Sequence, residues 1–189
     1  RYLFTGGIRH ERERFRTGLK WFVEQDNKNA PLALNLSEAD QQILAQAGND
    51  PELMYAPSGV VSEYDVNKIL YRLVADPAGN YYEFSTDASQ TLYQVAFTYF
   101  GTSRGDYTLK QTTNNGRVFQ YAGPNLGEYR AVRKLPSPQK SHVFSYNAEY
   151  LLKDGVLGTD FSFSNYDVNL FSSRDEHQNF GYAGRIFGY

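Results

Sequence analysis

Four side chains that could supply oxygen ligands lie close together near the carboxyl end of the chain: Asp167, Asn169, Asp175 and Asn179. Calcium in proteins binds roughly six to eight oxygen atoms from carboxylates, amides and backbone carbonyls, so this segment is a candidate calcium site. Leu170 and Phe171 interrupt the polar pattern that an EF-hand loop would need. Asx turns within a long hairpin loop are therefore the favoured interpretation.

Three tyrosines each follow a glycine-containing turn, and they are candidate ligand-binding residues: Tyr81, Tyr107 and Tyr129. The segments are Ala75-Asp-Pro-Ala-Gly79-Asn80-Tyr81, Gly101-Thr-Ser-Arg-Gly105-Asp106-Tyr107 and Gly123-Pro-Asn-Leu-Gly127-Glu128-Tyr129. A phosphate loop would lead into a helix, whereas each of these turns leads into a strand pattern. Exposed tyrosines could stack on sugar rings or contact a protein partner. The alternative, which the pattern favours, is that they begin strands and pack inward.

No pattern in the chain selects a catalytic site. Cysteine is absent, the histidines at 10, 142 and 177 lack the spacing of a zinc motif, and there is no Gly-x-Ser-x-Gly elbow. Glycoside cleavage needs only two carboxylates on a rigid framework, and the candidates are Glu83, Glu128, Glu149 and Asp160. Their spacing selects no pair. We therefore expect a protein that is not an enzyme and that uses no cofactor.

The 189 residues fit a single β-rich domain, or a fragment of a longer protein, since the chain begins at Arg1 without a methionine. A formal net charge of -2 offers no broad basic surface, so we expect no nucleic-acid partner. The locally basic stretch from Arg9 to Arg16 mixes charges and predicts a solvated hairpin tip. No apolar run approaches the roughly 18 residues of a spanning helix.

Period-two alternation is the strongest structural pattern. Near the amino end it appears as Phe15, Thr17, Leu19, Trp21 and Val23, preceded by a similar run from Tyr2 to Ile8. Near the carboxyl end, Phe144 to Leu152 and Leu157 to Phe163 alternate around Asp154-Gly155, which predicts a hairpin turn. Two strands of about ten residues with one aromatic face match both an outer-membrane barrel and a large soluble antiparallel sheet.

One short helix is predicted over 38–47, because Ser37 and Asp40 form a capping box and Gly48 provides a stop. Residues 60–135 read as a repeated strand-turn-strand meander. Together these patterns predict an all-β fold of antiparallel hairpins, either a sandwich or part of a β-barrel, with one helix.

Several turn motifs resemble large outer-membrane or envelope proteins of Gram-negative bacteria that use type IX secretion. The resemblance spans roughly residues 35 to 185. It rests on five segments: Phe97 to Tyr107, Val118 to Tyr129, Leu135 to Gln139, Phe163 to Ser172 and Gly181 to Ala183. It implies an envelope location, in the outer membrane or periplasm, and a strand-rich, barrel-associated segment. It assigns no catalytic residue.

We expect a non-enzymatic structural or binding segment of a bacterial envelope protein, whose partners are other envelope proteins, the remainder of a longer chain or a membrane. The alternative is a carbohydrate-binding module with a glycan partner, and a glycosidase-like enzyme is a third hypothesis. The direction in which the aromatic side chains point separates these hypotheses. A common interior indicates a scaffold, a flat exposed row indicates sugar binding, and an outward aromatic band with a polar interior indicates a membrane barrel.

Overall fold

The predicted fold class is confirmed in a computed structural model that describes residues 1–27, 36–77 and 79–189. In these ranges the chain is mostly antiparallel β-structure with one short α-helix. The strands are β1 (Tyr2–Arg12), β2 (Phe15–Gln25), β3 (Tyr55–Pro57), β4 (Val60–Ser62), β5 (Tyr71–Val74), β6 (Tyr81–Phe84), β7 (Leu92–Gln94), β8 (Thr98–Tyr99), β9 (Tyr107–Thr113), β10 (Gly116–Tyr121), β11 (Tyr129–Arg130), β12 (Val132–Lys134), β13 (Lys140–Leu151), β14 (Val156–Asp167) and β15 (Phe180–Gly188). The helix, α1, spans Glu38–Ala47, and a 3-10 turn covers Glu176–Gln178.

The described residues of the chain form two compact units. The sheet unit contains Arg1–Met54 and Pro136–Tyr189, and the inserted unit contains Tyr55–Leu135. In sequence, the inserted unit therefore interrupts the sheet unit.

The sheet unit is built on five long antiparallel strands in the order β1-β2-β13-β14-β15. The predicted hairpin at Asp154-Gly155 joins β13 to β14, with Leu151 opposite Val156. The central pairing of β2 with β13 is non-local and matches Phe15 with Tyr150 at one end and Gln25 with Lys140 at the other. The sheet is open, with β1 and β15 as its edges, and the described strands do not close into a barrel.

The charged stretch near the amino end differs from the expected hairpin loop. Arg12 pairs with Phe15, so only Glu13 and Arg14 form the turn, and the flanking charged residues continue the two strands. Glu13 adopts a left-handed φ of 46°, which closes this tight turn. On either side of this turn, each β1 residue from Tyr2 to Arg12 pairs with one β2 residue, without a bulge.

Helix α1 forms where the sequence predicts it. The Ser37 side chain accepts a hydrogen bond from the Asp40 backbone N–H, and the Asp40 carboxylate accepts one from Ser37 N–H. Leu44 and Ala47 are buried, and Gly48 ends the helix at a φ of 65°. No helix in the described ranges has the length and apolar character needed to cross a membrane.

The loop between β14 and β15 caps the carboxyl end of α1. The fully buried Asn169 amide donates to the carbonyls of Leu44 and Gly48, both at 2.7 Å. Ser172 Oγ donates to the Ala45 carbonyl at 2.9 Å, and Arg174 donates to the Gln46 carbonyl at 2.6 Å. These carbonyls lie in the last turn and at the C-cap of the helix, so the loop supplies hydrogen bonds at a terminus where backbone acceptors lack intrahelical donors.

The inserted unit contains three small sheets, ordered β4-β7-β5-β6, β10-β9-β11-β8 and β12-β3. Some neighbouring strands in these sheets are therefore not consecutive in the chain. Its core is aromatic: the Phe97 ring contacts the rings of Tyr71, Tyr107 and Phe119 at centroid distances of 4.5 to 5.1 Å. Two buried tyrosine hydroxyls accept backbone hydrogen bonds, Tyr71 from Phe119 N–H and Tyr107 from Tyr82 N–H.

Two of the glycine turns lie against each other in the inserted unit. Gly105 and Gly127 exchange backbone hydrogen bonds at 3.1 and 2.8 Å. A Cβ on Gly105 would stand 2.4 Å from the Tyr129 backbone nitrogen, and one on Gly127 would stand 2.3 Å from the Tyr107 carbonyl oxygen. The two turns also share a left-handed third residue, Ser103 at φ 58° and Asn125 at φ 57°. The turn before Tyr81 is an ordinary β5–β6 hairpin connection, and its Ala78 lies outside the described residues.

Replacing Asn169 with alanine tests the role of this loop as a helix cap. The variant leaves two helix carbonyls without their donor, which costs about 1–3 kcal/mol because buried polar groups lose their partner. We expect amide hydrogen exchange in α1 to accelerate about tenfold or more, while exchange in β13 stays unchanged. Ser173→Ala, at an exposed position of the same loop, is the matched control. Equal α1 protection in both variants would refute the capping role.

Candidate functional site

One aromatic face runs across all five strands of the sheet unit, and many of its side chains are exposed. The pairing register places alternate residues of each strand on the same side, because directly opposed side chains in an antiparallel ladder share a face. We call this side the aromatic face, and its large members are Tyr2, Phe4, Ile8, Phe15, Leu19, Trp21, Val23, Phe144, Tyr146, Tyr150, Leu157, Phe161, Phe163, Phe180, Tyr182 and Ile186.

The aromatic face is uncharged through its middle. From Phe4 to His10 on β1, and at the positions paired with them on the other four strands, it carries no Asp, Glu, Lys or Arg. Many of its side chains are open to solvent: Tyr182 is 84% exposed, Ile186 81% and Phe4 53%. Soluble monomers rarely expose contiguous apolar patches of more than a few hundred Å², so this face is a candidate contact surface.

The opposite side, the polar face, has a different chemistry. It also carries Leu3, Phe22, Val143 and Phe187, but charged residues are distributed along it: Arg9, Glu11, Arg16, Lys20, Glu24, Glu149, Asp160 and Arg185. Several of these form ion pairs, including Arg16 with Glu11 at 2.7 Å and Arg185 with Asp160 at 2.6 Å. Ser145 and Ser162 hydrogen-bond across the β13–β14 ladder.

The two ends of the sheet differ in the length of their connections. At one end, Glu13 and Arg14 join β1 to β2, and residues 152–155 join β13 to β14. At the other end, residues 26–139 separate β2 from β13, and residues 168–179 separate β14 from β15. Tight turns therefore lie at one end and long connections at the other.

Three of the four candidate calcium ligands already have partners for their side chains. Asp167 Oδ1 accepts from Asn169 N–H at 2.9 Å, and Asp167 Oδ2 lies 3.6 Å from the Lys140 ammonium. The Asn169 amide donates to the helix carbonyls, and Asn179 Oδ1 accepts from the Asn49 amide at 2.8 Å. Asp175 has a left-handed backbone at the start of the 3-10 turn. Throughout the described ranges, no three acidic or histidine side chains are close enough to hold a metal ion.

The three candidate tyrosines occupy different environments within the inserted unit. Tyr107 is buried, with its hydroxyl bonded to the Tyr82 backbone, so it presents no face to a ligand. Tyr129 is half-buried and packs against Tyr99 and Phe119. Tyr81 stacks on Tyr121 with ring centroids 4.3 Å apart and planes 8° apart.

Tyr81 and Tyr121 line a shallow groove of about 280 Å³, whose other walls are Glu83, Phe84, Lys110, Phe119 and Gln120. Glu83 is bonded to Arg72. In the described part of the inserted unit, the Lys110 ammonium and the Gln120 amide have no side-chain partner. The groove thus combines an aromatic wall with two polar groups that remain available.

Of the carboxylates considered for glycoside cleavage, the structure brings together Glu149 and Asp160, which are diagonal cross-strand neighbours on the polar face. Glu83 and Asp160 are occupied by ion pairs with Arg72 and Arg185, respectively. Glu128 lies on the turn before β11, where its backbone joins the Gly105–Gly127 contact. Glu149 lies on the polar face, opposite Arg16 on β2.

The sequence pattern of β13 and β14 indicates part of the aromatic face, but its full extent follows from pairings that the sequence alone does not show. The Trp21 row illustrates this, since Gly6, Trp21, Phe144, Phe163 and Tyr182 become neighbours across five strands. The sequence contains one relevant pattern, because apolar side chains alternate both from Phe15 to Val23 and from Phe144 to Leu152. This pattern alone does not identify β2 and β13 as paired strands.

The buried tyrosine core predicts a loss of stability at high pH. Burial raises the pKa of the Tyr107 hydroxyl from 10.0 to about 12, even though the hydrogen bond from Tyr82 N–H lowers it in part. Between about pH 10 and 12 the unfolded state binds fewer protons than the folded state, so the free energy of unfolding falls as the pH rises. We expect Tyr107→Phe to flatten this fall in urea titrations, whereas Tyr64→Phe, at an exposed site, leaves it unchanged. An identical pH dependence in the Tyr107 variant and the unaltered chain would contradict this account.

Comparison with known proteins adds no assignment, because no family model, curated protein or solved structure matches the chain.

Proposed function

We propose that the sheet unit is a membrane-embedded, non-enzymatic segment of a bacterial outer-membrane protein. Its aromatic face contacts lipid acyl chains and its polar face borders water. The observation that carries the proposal is the continuous, uncharged and exposed aromatic face across five strands, backed by a charged opposite face.

Strand length supports this proposal. A strand that crosses a bilayer at a tilt of about 45° needs about 9–11 residues. The five strands have 11, 11, 12, 12 and 9 residues. Strands in globular proteins more often have about five or six residues. The two longest strands of the inserted unit have seven and six residues. The strands of the sheet unit are thus long enough to span the hydrocarbon layer.

The arrangement of connections supports the same role. Outer-membrane strands typically join through short turns on the periplasmic side and longer loops on the outside. One end of this sheet carries the tight turns, which contain Glu13 and Asp154. The opposite end carries the long connections, which begin at Asp26 and Val168. In this proposal the tight turns face the periplasm.

The open edges define what partner the sheet requires. In hydrocarbon every backbone N–H and C=O must be paired, and the outer edges of β1 and β15 are unpaired among the described strands. Five alternating strands leave both edges running in the same direction. Closure by antiparallel pairing therefore takes an odd number of further strands, contributed by the remainder of a longer chain or by another envelope protein. A second copy of the sheet in the same membrane orientation could pair with these edges only in parallel, because its own edge strands run in the same direction.

Trp21 gives a direct test, since it is the one tryptophan of the chain and lies on the aromatic face. The full chain is purified in an alkyl maltoside and then transferred to the brominated form of that detergent, whose bromine atoms quench tryptophan by contact. We expect strong quenching of Trp21. The matched variant carries Trp21→Phe and Ser145→Trp, which moves the indole to the polar face. Its fluorescence should be quenched far less.

Equal quenching in both proteins would overturn the proposed assignment of the two faces. A chain that is monodisperse and monomeric without detergent would overturn membrane contact itself, because the aromatic face would then be stable in water.

A second candidate function is saccharide binding by the groove of the inserted unit. It is favoured by the Tyr81–Tyr121 stack beside the unpartnered Lys110 and Gln120, since sugars use an aromatic platform and polar hydrogen-bonding groups.

A glycan array followed by saturation-transfer NMR tests this second function. We expect Tyr81→Ala to weaken the binding of an array hit by roughly three- to tenfold, in line with one lost aromatic contact. Tyr64→Ala, at an exposed position without ring contacts, is the control and should bind as the unaltered chain does. A silent array would exclude this function.

A further inference from the structure

Two cations on the polar face lack the ion pairs that their neighbours make. Arg16 is bonded to Glu11, Arg185 to Asp160, and Arg1 to Glu24. Within the described residues, by contrast, Arg9 and Lys20 contact no carboxylate and have no side-chain hydrogen bond. Both side chains are exposed, so each is available to an incoming anion.

The strand register places these two cations beside each other. Arg9 lies opposite Gly18, and Gly7 lies opposite Lys20. The cations are therefore diagonal cross-strand neighbours, a spacing of about 7–8 Å that long side chains can bridge. Like charges at this spacing repel each other, so an anion between them would relieve an unfavourable interaction.

Glycine makes room between the cations. Gly7 and Gly18 leave a depression of about 370 Å³ on the β1–β2 ladder, and Asn147 of β13 forms a third wall. A Cβ on Gly18 would stand 2.5 Å from Asn147 Oδ1, so the amide lies directly over the glycine floor. The depression thus has a guanidinium, an ammonium and an amide around its rim.

We propose that this depression binds a small, freely dissolved oxyanion of the phosphate type. Guanidinium groups bind phosphate oxygens through paired N–H donors, and an ammonium adds a point charge with three further donors. The Asn147 atom nearest the glycine floor is its acceptor Oδ1, so the donors to the anion come from the two cations. The site needs only the folded β1–β2–β13 ladder, so it does not depend on membrane contact by the opposite face.

A phosphorus-31 NMR titration of inorganic phosphate with the full chain tests the site. We expect saturable binding that Lys20→Gln or Arg9→Gln weakens about tenfold, the effect of one lost charge-assisted hydrogen bond. Arg185→Gln is the matched control, since it removes a cation of the same face that already has a carboxylate partner, and it should change the affinity little. Gly18→Ala keeps every charge but fills the floor, and it should also weaken binding.

Two outcomes would overturn the site: no saturable binding, or equal weakening by Arg185→Gln and Lys20→Gln, which would indicate general charge attraction only. Far-ultraviolet circular dichroism identifies a variant that has lost its β-structure. If Arg9→Gln does so, Lys20→Gln and Gly18→Ala carry the same test. Failure of the phosphate titration leaves the detergent-quenching test of membrane contact unaffected, because the two tests probe opposite faces.

Discussion

The antiparallel pairing of β2 with β13 is the constraint on which the sheet unit depends. These strands are separated by more than a hundred residues, yet eleven consecutive positions are matched between them. Because side chains alternate with period two, a slip of one residue would send Trp21 and Leu19 to one face and Phe144 and Tyr146 to the other. In each strand, apolar and polar side chains alternate. The register brings the apolar side chains of neighbouring strands onto one face of the sheet and the polar side chains onto the other.

Those two faces determine the environment that suits the sheet. Covering a large apolar side chain removes it from water at a gain of about 1.5–3 kcal/mol, so an exposed aromatic face across five strands is costly in an aqueous setting. Lipid covers such a face without requiring a complementary protein surface. The charged side chains of the polar face are favourable in contact with water. This holds for its ion pairs and for Arg9 and Lys20, which can also bind an anion.

Local features of the fold could be predicted from the sequence, whereas long-range features could not. The Ser37–Asp40 capping box and the Asp154-Gly155 turn each lie within a few residues, and both appear where expected. The order of the five strands, the separate inserted unit and the Gly105–Gly127 contact depend on partners distant in sequence. Asn169 illustrates the same limit: its spacing to Asp167 resembles a metal loop, but its amide donates to a helix more than a hundred residues away.

The most direct measurement of the central claim is a spin-label scan along β13 in phospholipid vesicles. The chain has no cysteine, so each introduced cysteine from Ser141 to Tyr150 reports a single position. We predict that collision with oxygen, which is concentrated in lipid, peaks at the even positions, and that collision with a water-soluble nickel chelate peaks at the odd positions. Oxygen and nickel profiles that rise and fall together, or that show no period of two, would contradict the account.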